Sequence, residues 1–539
     1  MPFASRRNSR RHSRRTFFGG LRPWQLGTIL GVCLVLAAAA LVWTGLRPHH
    51  QKAASPGPSA QQSTSATAHV TPPTKVCGNQ SILGGGPATA PAGAISVAAG
   101  DDSGVNFGQA GATYWFAPGR HTLGSGQFTQ IIPGSGATFT GAPGAVLDGE
   151  HANLYAFGGD ATKVTISYLT VENFGTSGAN QNEGVVNHDS AAGWTIDHST
   201  ITGNAGAGTM LGSDNTLSWN CLTRNQQYGF NAFSDNGPSN LAVEHNEISD
   251  NDTYNWEAHQ SGCGCSGGGK FWDVNGAAIT GNWVHGNESV GLWADTNNRG
   301  FDFSGNTISD NYSYGLIYEI SYNAQIKDNT FARNGLGTGQ TNTGFPTSAI
   351  YISESGSDSR VPGHYGRSFE ITGNTFVNNW GGVILWENSN RYCNSPSNTS
   401  TGVCTLVAPS TATIKSCNAQ NVGHAPYYSD CRWKTQNVEV SHNQFDFDPA
   451  ALGAKCTLAT LCGFQGVFSE YGTFPSWSPY KGNAVGNHIA FGQNNHFSQN
   501  SYTGPWRFMA QSQGTVVTWG GWRAKPYDQD AGSTLNPGS

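Results

Sequence analysis

A short phrase that recurs along the chain constrains the fold more than any other feature. Each copy has a short β-prone stretch, an Asn, a second short β-prone stretch and another Asn five residues after the first. Six clear copies have their first Asn at Asn220, Asn246, Asn282, Asn306, Asn329 and Asn374, which are separated by 26, 36, 24, 23 and 45 residues. Recurrence near a minimum length with occasional expansion is typical of a solenoid with variable loops on one side.

The repeat predicts an all-β body of two or three parallel sheets. Stacking of the coils, about 4.8 Å apart, would bury apolar side chains that a single coil cannot bury. We interpret the repeated Asn residues as structural, because amides stacked at equivalent turns can hydrogen-bond from coil to coil. The composition agrees, since 72 Gly and only 12% charged residues favour short strands and tight turns over helices.

The N-terminus predicts a membrane anchor or an export signal. Residues 1–23 form a basic cytoplasmic tail, and the run from Leu26 to Leu46 is apolar and uncharged. Such a run can span a bilayer, and the Arg-rich flank should stay cytoplasmic, which places the remaining chain outside. We favour an uncleaved transmembrane helix over residues 24–46. Small residues at 37–40 leave signal cleavage open, and residues 13–18 resemble a twin-arginine export signal.

The segment after the apolar run predicts an extracellular linker and a disulfide-stapled body. Residues 47–76 are rich in Pro, Ser and Thr and should be a disordered linker, and residues 77–539 form the body. Ten cysteines follow the apolar run, an even number that suggests disulfides in an oxidising compartment. The plausible loop pairs are Cys393–Cys404, Cys417–Cys431 and Cys456–Cys462. Zinc is disfavoured because no Cys-x-x-Cys spacing occurs.

The charge distribution argues against nucleic acid as a partner. Residues 1–76 hold ten of the 28 Lys and Arg residues and none of the 34 Asp and Glu residues. The body is therefore strongly acidic and repels phosphate backbones. A polyanionic sugar would need a bridging cation or a local basic patch. The expected partners are a polysaccharide or cell-wall glycan and, through the N-terminal helix, the membrane; the oligomeric state stays open.

Several segments give the chain a family resemblance. It resembles the right-handed parallel β-helix group of the pectate-lyase-like superfamily and, more narrowly, membrane-anchored or secreted actinobacterial β-helix repeat proteins. The segments that carry this likeness are 114–122, 141–149, 183–189, 267–272, 291–297 and 318–322. The resemblance covers roughly residue 77 to the C-terminus and implies a right-handed parallel β-helix. The catalytic signatures of polygalacturonase-like hydrolases, pectate lyases and mannuronan epimerases are missing, so no catalytic residue carries over.

The third stretch of several coils ends in an acidic residue, which predicts a row of carboxylates. The acids are Asp295, Glu319, Glu354, Glu387 and Glu470, with Glu257 as a further member one coil earlier. Carboxylates on neighbouring coils would lie about 5 Å apart, which is costly unless a cation, a shared proton or a basic partner intervenes. We therefore predict a functional groove, with Asp295 and Glu319 as the central catalytic pair and Glu354 and Glu387 in support.

Three chemistries fit such a row. Two carboxylates can act as acid and nucleophile or base in glycoside hydrolysis. Alternatively, Asp295, Glu319 and Glu354 could hold Ca²⁺ against a uronate for lyase chemistry. The base of a lyase would then be Lys270, Arg360, His259 or His285. The third chemistry is glycan binding without turnover, as in a non-catalytic cell-envelope protein.

Aromatic and polar side chains near the acids predict the substrate-binding surface. The candidates are Glu257, His259, Trp272, Trp293, Tyr318, Tyr322, Trp386 and Arg360, and Trp256 and Tyr351 also lie in these stretches. We expect half or more of the aromatic residues to be core, because alternate strand positions point inward. The Gly-rich loop before Lys270 is the predicted wall of the groove. The function predicted is therefore an extracytoplasmic, membrane-tethered hydrolase or lyase acting on polysaccharide.

Overall fold

Three long parallel sheets run along the molecule and form a solenoid. The computed structural model describes residues 72–261, 263–264, 267–342, 344–361, 364–387, 412–418, 420–421, 425–431, 434–469, 491–512 and 515–538. Successive strands of the chain pass from sheet 1 to sheet 2 to sheet 3, so that each sheet gains one strand per coil. The prediction of stacked coils with parallel sheets is therefore confirmed.

Sheet 1 has 13 strands in the described residues. They are β1 (Ile95–Val97), β3 (Thr113–Phe116), β5 (Thr138–Gly141), β7 (Thr165–Ser167), β10 (Thr195–Asp197), β13 (Thr216–Ser218), β16 (Ser239–Glu244), β19 (Asn275–Thr280), β22 (Arg299–Ser304), β25 (Tyr322–Lys327), β28 (Phe369–Thr372), β31 (Val438–Ser441) and β34 (His496–Ser498).

Sheet 2 has 14 strands in the same part of the chain. They are β2 (Gly100–Asp101), β4 (Gly119–Thr122), β6 (Ala145–Asp148), β8 (Thr170–Glu172), β11 (Thr200–Thr202), β14 (Cys221–Thr223), β17 (Glu247–Ser249), β20 (Trp283–His285), β23 (Thr307–Ser309), β26 (Thr330–Ala332), β29 (Thr375–Val377), β32 (Gln444–Asp446), β35 (Ser501–Thr503) and β38 (Thr534–Asn536).

Sheet 3 has 11 described strands, the last of them antiparallel. They are β9 (Gly184–Val186), β12 (Ala207–Leu211), β15 (Tyr228–Ala232), β18 (Gly267–Trp272), β21 (Val290–Asp295), β24 (Leu316–Glu319), β27 (Ile350–Ser353), β30 (Val383–Glu387), β33 (Phe464–Ser469), β36 (Arg507–Ser512) and β37 (Val516–Val517). Short helices lie in the connections: α1 (Gln80–Leu83), α2 (Trp256–His259), α3 (Leu336–Thr341), α4 (Tyr427–Asp430), α5 (Pro449–Leu452) and α6 (Trp519–Arg523).

Two buried Asn ladders flank sheet 2 and explain the repeated phrase. In the first ladder, each side-chain amide donates to the next: Asn246 Nδ2 lies 3.0 Å from Asn282 Oδ1, and Asn282 Nδ2 lies 3.0 Å from Asn306 Oδ1. The same amides also donate to backbone carbonyls, such as Asn282 Nδ2 to Val243 at 2.7 Å. Because the ladders satisfy buried backbone groups at every corner, the predicted structural role of these Asn residues is confirmed.

Apolar side chains from the three sheets fill the interior in stacks. Phe331, Phe376, Phe445 and Tyr502 follow one another on sheet 2 with ring centroids 5.1, 4.4 and 4.9 Å apart. Stacked identical positions bury each coil against its neighbours, as the repeat requires.

Disulfides pin loops and the first described segment to the solenoid. Cys417–Cys431 and Cys456–Cys462 are bonded, which confirms two predicted pairs. Cys77–Cys221 is a pair that spacing did not indicate, and it fixes the segment before α1 on sheet 2. Cys393 and Cys404 lie outside the described residues.

The predicted membrane helix also falls outside the described residues, as do the basic tail and most of the linker. In the part of the chain that the structure describes, no helix is long and apolar enough to cross a membrane. The anchor at residues 24–46 therefore stays a prediction.

Candidate functional site

The outer face of sheet 3 carries two of the predicted acids, Asp295 and Glu319, and the strand register shows which residues of neighbouring coils are adjacent. Trp272 of β18 lies opposite Asp295 of β21, and Glu319 of β24 lies opposite Ser353 of β27. The pairing of Ala294 with Tyr318 places Asp295 next to Glu319 on the neighbouring coil. Ser353 in turn lies opposite Trp386 of β30. We call this line across the coils the acid row: Trp272, Asp295, Glu319, Ser353 and Trp386.

Glu354 and Glu387 do not belong to the acid row, which corrects the prediction of a single line of acids. Each follows the row position by one residue, and both side chains are 0% exposed. One extra residue between the apolar run and the acid turns the side chain to the other side of the strand. Glu387 Oε2 accepts hydrogen bonds from the Thr435 amide at 3.0 Å and from Gln493 Nε2 at 2.9 Å. Both acids are interior groups, and Glu470 lies outside the described residues.

Asp295 is held by a cation on the preceding coil. Lys270 Nζ lies 3.0 Å from Asp295 Oδ2, with 12% and 14% of the two side chains exposed. Asp295 Oδ1 accepts a hydrogen bond from the Thr296 hydroxyl at 2.9 Å. The Lys270 ammonium also donates to the Gly264 carbonyl at 2.6 Å and lies 4.4 Å from the ring centroid of Trp293. The ion pair therefore fixes both the carboxylate and the loop above it.

The loop that carries α2 lies beside this pair. Glu257 Oε1 accepts a hydrogen bond from the Gly264 amide at 2.7 Å. Gly264 has a φ of +55° and lies on the ring of Trp293, where a Cβ would approach within 2.7 Å. His259 stacks on Tyr254 with centroids 4.0 Å apart. Glu257 and His259 thus shape this loop rather than the row itself.

Tyr228 is a component of this region that sequence reasoning missed. Burial raises the pKa of the Tyr228 hydroxyl well above its usual range, and the charges of Asp295, Asp252 and Glu257 raise it further. The hydroxyl is buried and has no hydrogen-bond partner among the described residues. The strand of Tyr228 ends in Ala232 rather than in an acid, so the acidic pattern of the sequence gives no signal for this tyrosine.

Glu319 lies in aromatic surroundings. Burial raises the pKa of Tyr351, and the carboxylate of Glu319 is the next cause of that rise. Burial likewise raises the pKa of Tyr314, with Glu319 again contributing. The two tyrosine rings lie 5.2 Å apart. The acid row therefore pairs a carboxylate held by Lys270 with a carboxylate beside phenol rings.

Positive φ occurs at many corners of the solenoid, but among the described non-glycine residues only the two that follow the acids combine it with a β-branched side chain. Thr296 and Ile320 follow Asp295 and Glu319, and they have φ values of +32° and +48°. β-Branched residues rarely adopt positive φ, and such strain is characteristic of functional sites.

Other predicted site residues lie elsewhere. Tyr318 and Tyr322 are 0% and 1% exposed. Tyr318 lies in the core between the sheets, and Tyr322 is buried against Ile320 and Val361, so neither ring is a stacking surface, which corrects the prediction. Arg360 pairs with Asp358 at 2.8 Å and Asp430 at 2.9 Å and clamps two loops together. His285 lies on sheet 2, 3.3 Å from Glu247.

The C-terminal end of the acid row is covered. Trp386 is 8% exposed and packs with Ile384, Phe468 and Met509, with Phe345 against them. Trp386 is thus largely shielded, and the accessible part of the row runs from Trp272 to Glu319.

The predicted Ca²⁺ site finds no support in this geometry. Calcium takes about six to eight oxygen ligands. In the ranges that the structure describes, no group of three or more His, Cys, Asp or Glu side chains is arranged to hold a metal ion. Asp295 is bound to Lys270, and Glu354 lies one residue away from the row, so these donors do not fit a calcium ion.

Sequence comparison agrees with the architecture. The profile of the family described as right handed beta helix region matches residues 145–303 and 183–363. This match and the three parallel sheets show that the chain is a right-handed parallel β-helix protein. No curated protein matches the sequence.

Solved structures resemble the chain only distantly. The catalytic unit of a GH87 α-1,3-glucanase from Streptomyces thermodiastaticus has 14% identity and a TM-score of 0.44, covering 84% of this chain and 69% of that one. A PL6 family polysaccharide lyase from Pseudopedobacter saltans has 12% identity and a TM-score of 0.42, covering 82% and 92%. The A-module of a mannuronan C-5 epimerase from Azotobacter vinelandii has 13% identity and a TM-score of 0.33, covering 55% and 79%. We interpret the site from its own residues.

Proposed function

We propose that the outer face of sheet 3 binds a polysaccharide and that Asp295 and Glu319 hydrolyse one of its glycosidic bonds. The observation that carries this proposal is the adjacent placement of the two acids on neighbouring coils, with Lys270 holding Asp295 at 3.0 Å. Trp272 in the row and Trp293 beside it supply aromatic surface next to the carboxylates.

The spacing of the acids supports a retaining mechanism. Opposite positions on neighbouring strands are about 4.8 Å apart. Carboxyl groups about 5 to 5.5 Å apart act as nucleophile and acid, whereas wider separations leave room for an inverting water. Asp295, oriented by Lys270 and Thr296, is the proposed nucleophile. Glu319, beside phenol rings, is the proposed proton donor to the leaving oxygen.

The charges around the row favour a neutral glycan. Lys270 is neutralised by Asp295, and Glu257 in the loop beside the row adds a negative charge. A polyuronate would be repelled, because like charges at short range are costly. We therefore favour a hydrolase over a lyase. Lys270, as the base of a lyase, would first have to leave both Asp295 and the Gly264 carbonyl.

We also propose that the body works outside the cytoplasm, tethered by residues 24–46. Support comes from the bonded pairs Cys77–Cys221, Cys417–Cys431 and Cys456–Cys462, because such bonds persist in oxidising compartments. Proximity to a membrane would keep the body close to cell-wall glycan.

Non-catalytic glycan binding is the second candidate function. The observation in its favour is the low exposure of the Lys270–Asp295 pair, which is what a purely structural ion pair would show. In that case the acid row would contact the sugar without acting on its bonds.

A turnover assay with matched variants tests the proposal. Soluble glucan, xylan, mannan and polygalacturonate are incubated with the purified protein, and reducing ends and absorbance of unsaturated products are followed. We expect reducing ends without unsaturation, and their loss in the double variant D295N/E319Q. The control is D310N, which removes an exposed carboxylate paired with Arg333 and should stay active. Full activity of the double variant would refute the assignment, and unsaturated products would indicate a lyase.

A further inference from the structure

A second surface with binding chemistry lies at the start of sheet 3, before β12. Three consecutive coils meet there. The Leu154 amide donates to the Gln127 carbonyl at 2.9 Å, and Ile131 forms a bridge with Phe157. The His188 amide donates to the Phe157 carbonyl at 2.9 Å. We call the outward side chains of these coils the N-terminal patch: Phe128, Gln130, Ile132, Tyr155, Glu183, His188 and Asp189.

The polar part of the N-terminal patch is an ordered set of donors and acceptors. The Tyr155 hydroxyl donates to the Glu183 carboxylate. The His188 ring stacks on the Tyr155 ring with centroids 3.5 Å apart and planes 18° apart. Burial raises the pKa of Tyr155, and the hydrogen bond to Glu183 raises it further, so the phenol stays neutral. Asp189 accepts a hydrogen bond from the Gly159 amide.

Two polar atoms of the N-terminal patch have unused hydrogen-bonding capacity. Gln130 Oε1 and His188 Nδ1 are buried and have no hydrogen-bond partner in the described part of the chain. Buried polar groups are normally satisfied, and exceptions require an explanation such as a ligand or ordered water. Because both atoms are shielded from solvent, a ligand with hydroxyl groups would reach them only after the Gln130 and His188 side chains turn outward.

The apolar part of the patch is unusually exposed. Phe128 is 72% exposed and Ile132 is 49% exposed. Large apolar side chains left in water next to a polar cluster mark a surface that a partner covers. The apolar face of a pyranose ring matches such a surface.

We propose that the N-terminal patch binds a sugar unit of a neutral glycan. The carboxylates of Glu183 and Asp189 accept hydrogen bonds from sugar hydroxyls and repel uronates, phosphates and nucleic acids. Phe128, which is mostly exposed, provides the stacking surface. The patch begins four strand spacings from Asp295, about 19 Å, on the same side of the solenoid. The inference rests on the proposed function in one respect: the same glycan chain would contact both the N-terminal patch and the Asp295–Glu319 pair.

Binding in a variant without turnover tests the inference separately from catalysis. Soluble glucan, xylan, mannan and polygalacturonate are titrated into the full chain carrying D295N/E319Q, with and without F128A or H188A. We expect F128A to weaken binding of a neutral polymer about fivefold, which corresponds to the roughly 1 kcal/mol of an aromatic contact. Phe128 is mostly exposed, so F128A should fold. The matched control is L458A, which removes another exposed apolar side chain and should bind unchanged.

The outcomes separate the two proposals. Glycan binding that F128A and H188A weaken, together with no turnover of any of these polymers by the wild type, would support the patch and refute the hydrolase. Normal turnover with unchanged binding in both patch variants would refute the patch and keep the hydrolase. Binding of polygalacturonate alone, or of no neutral polymer, would also overturn the patch.

Discussion

The corners around sheet 2 and the acid row on sheet 3 are built by opposite rules. At the corners, the coils from Asn220 onward repeat the same buried Asn contacts, and Asn282 is bonded to the coils on both sides. At the acid row, neighbouring coils differ in residue type, since Asp295 and Glu319 are followed by Ser353 and Trp386. Repetition therefore provides the stability, and the departures from repetition provide a site. This comparison predicts that the two regions respond oppositely to substitution.

The largest expected effect is on activity at the acid row. E319Q should lower kcat about a thousandfold, because proton transfer by a positioned acid contributes about two to four orders of magnitude. The midpoint of unfolding in urea should stay near that of the wild type, since Glu319 is partly exposed. Loss of stability in parallel with activity would contradict the division between the two regions.

The next effect is on stability in the ladder. N282A should lower the free energy of unfolding by about 3 kcal/mol, because it leaves the partners of Asn282 unsatisfied in the interior. Urea unfolding measures the change. N106A is the control, since Asn106 is exposed and its side chain only accepts a local hydrogen bond from the Gly108 amide. Equal stability of N282A and N106A would show that the ladder is not the stabilising element.

Substitution of Lys270 distinguishes a hydrolase from a lyase at the acid row. K270M should reduce kcat/KM about tenfold if the ammonium only orients Asp295, which corresponds to about 1.4 kcal/mol. A lysine that acts as the base of a lyase would instead be indispensable. Steady-state kinetics on the best glycan distinguishes the two, and complete loss of turnover in K270M with intact folding would favour the lyase.

The smallest effect concerns acid stability on sheet 2. Burial alone would raise the pKa of Glu247, but hydrogen bonds from His285 and the amides of Cys77 and Val76 outweigh it and lower that pKa. A carboxylate whose pKa is lower in the folded state stabilises that state at pH values above its unfolded pKa, which is about 4.3 for Glu. That stability is lost as pH falls through the folded pKa.

Thermal unfolding of wild type and E247Q between about pH 3 and 6 measures this contribution. The wild type should lose more stability than E247Q on acidification, because only the wild type has a carboxylate whose folded pKa is lowered. Parallel profiles of the two proteins would show that Glu247 does not titrate as described.

The solenoid could be predicted because each corner beside sheet 2 needs a buried amide, and this need places Asn at regular positions in the sequence. The ladder also includes Asn443 and Asn500, which the phrase did not reveal. Five residues after these Asn residues stand Asp448 and Pro505, so the second half of the phrase is lost while the first amide remains stacked.

The site was only partly predictable, for a physical reason. The acids Asp295 and Glu319 were found because they end similar apolar runs. Glu354 ends a run that is one residue longer, and spacing alone does not show that this turns the carboxylate inward. The partners of Asp295 come from the preceding coil and from a loop, and such contacts depend on register rather than on local sequence.

The bond between Cys77 and Cys221 has a mechanical consequence. It joins the first described segment to β14, the sixth strand of sheet 2, across 144 residues of chain. A tether that pulls on residues before Cys77 would deliver its load to the flank of the solenoid, not to its end. The first coils, which carry the N-terminal patch, would then be free of tension. The tether would then be attached at β14, along the side of the solenoid, and both ends of the solenoid would be accessible to a long polymer.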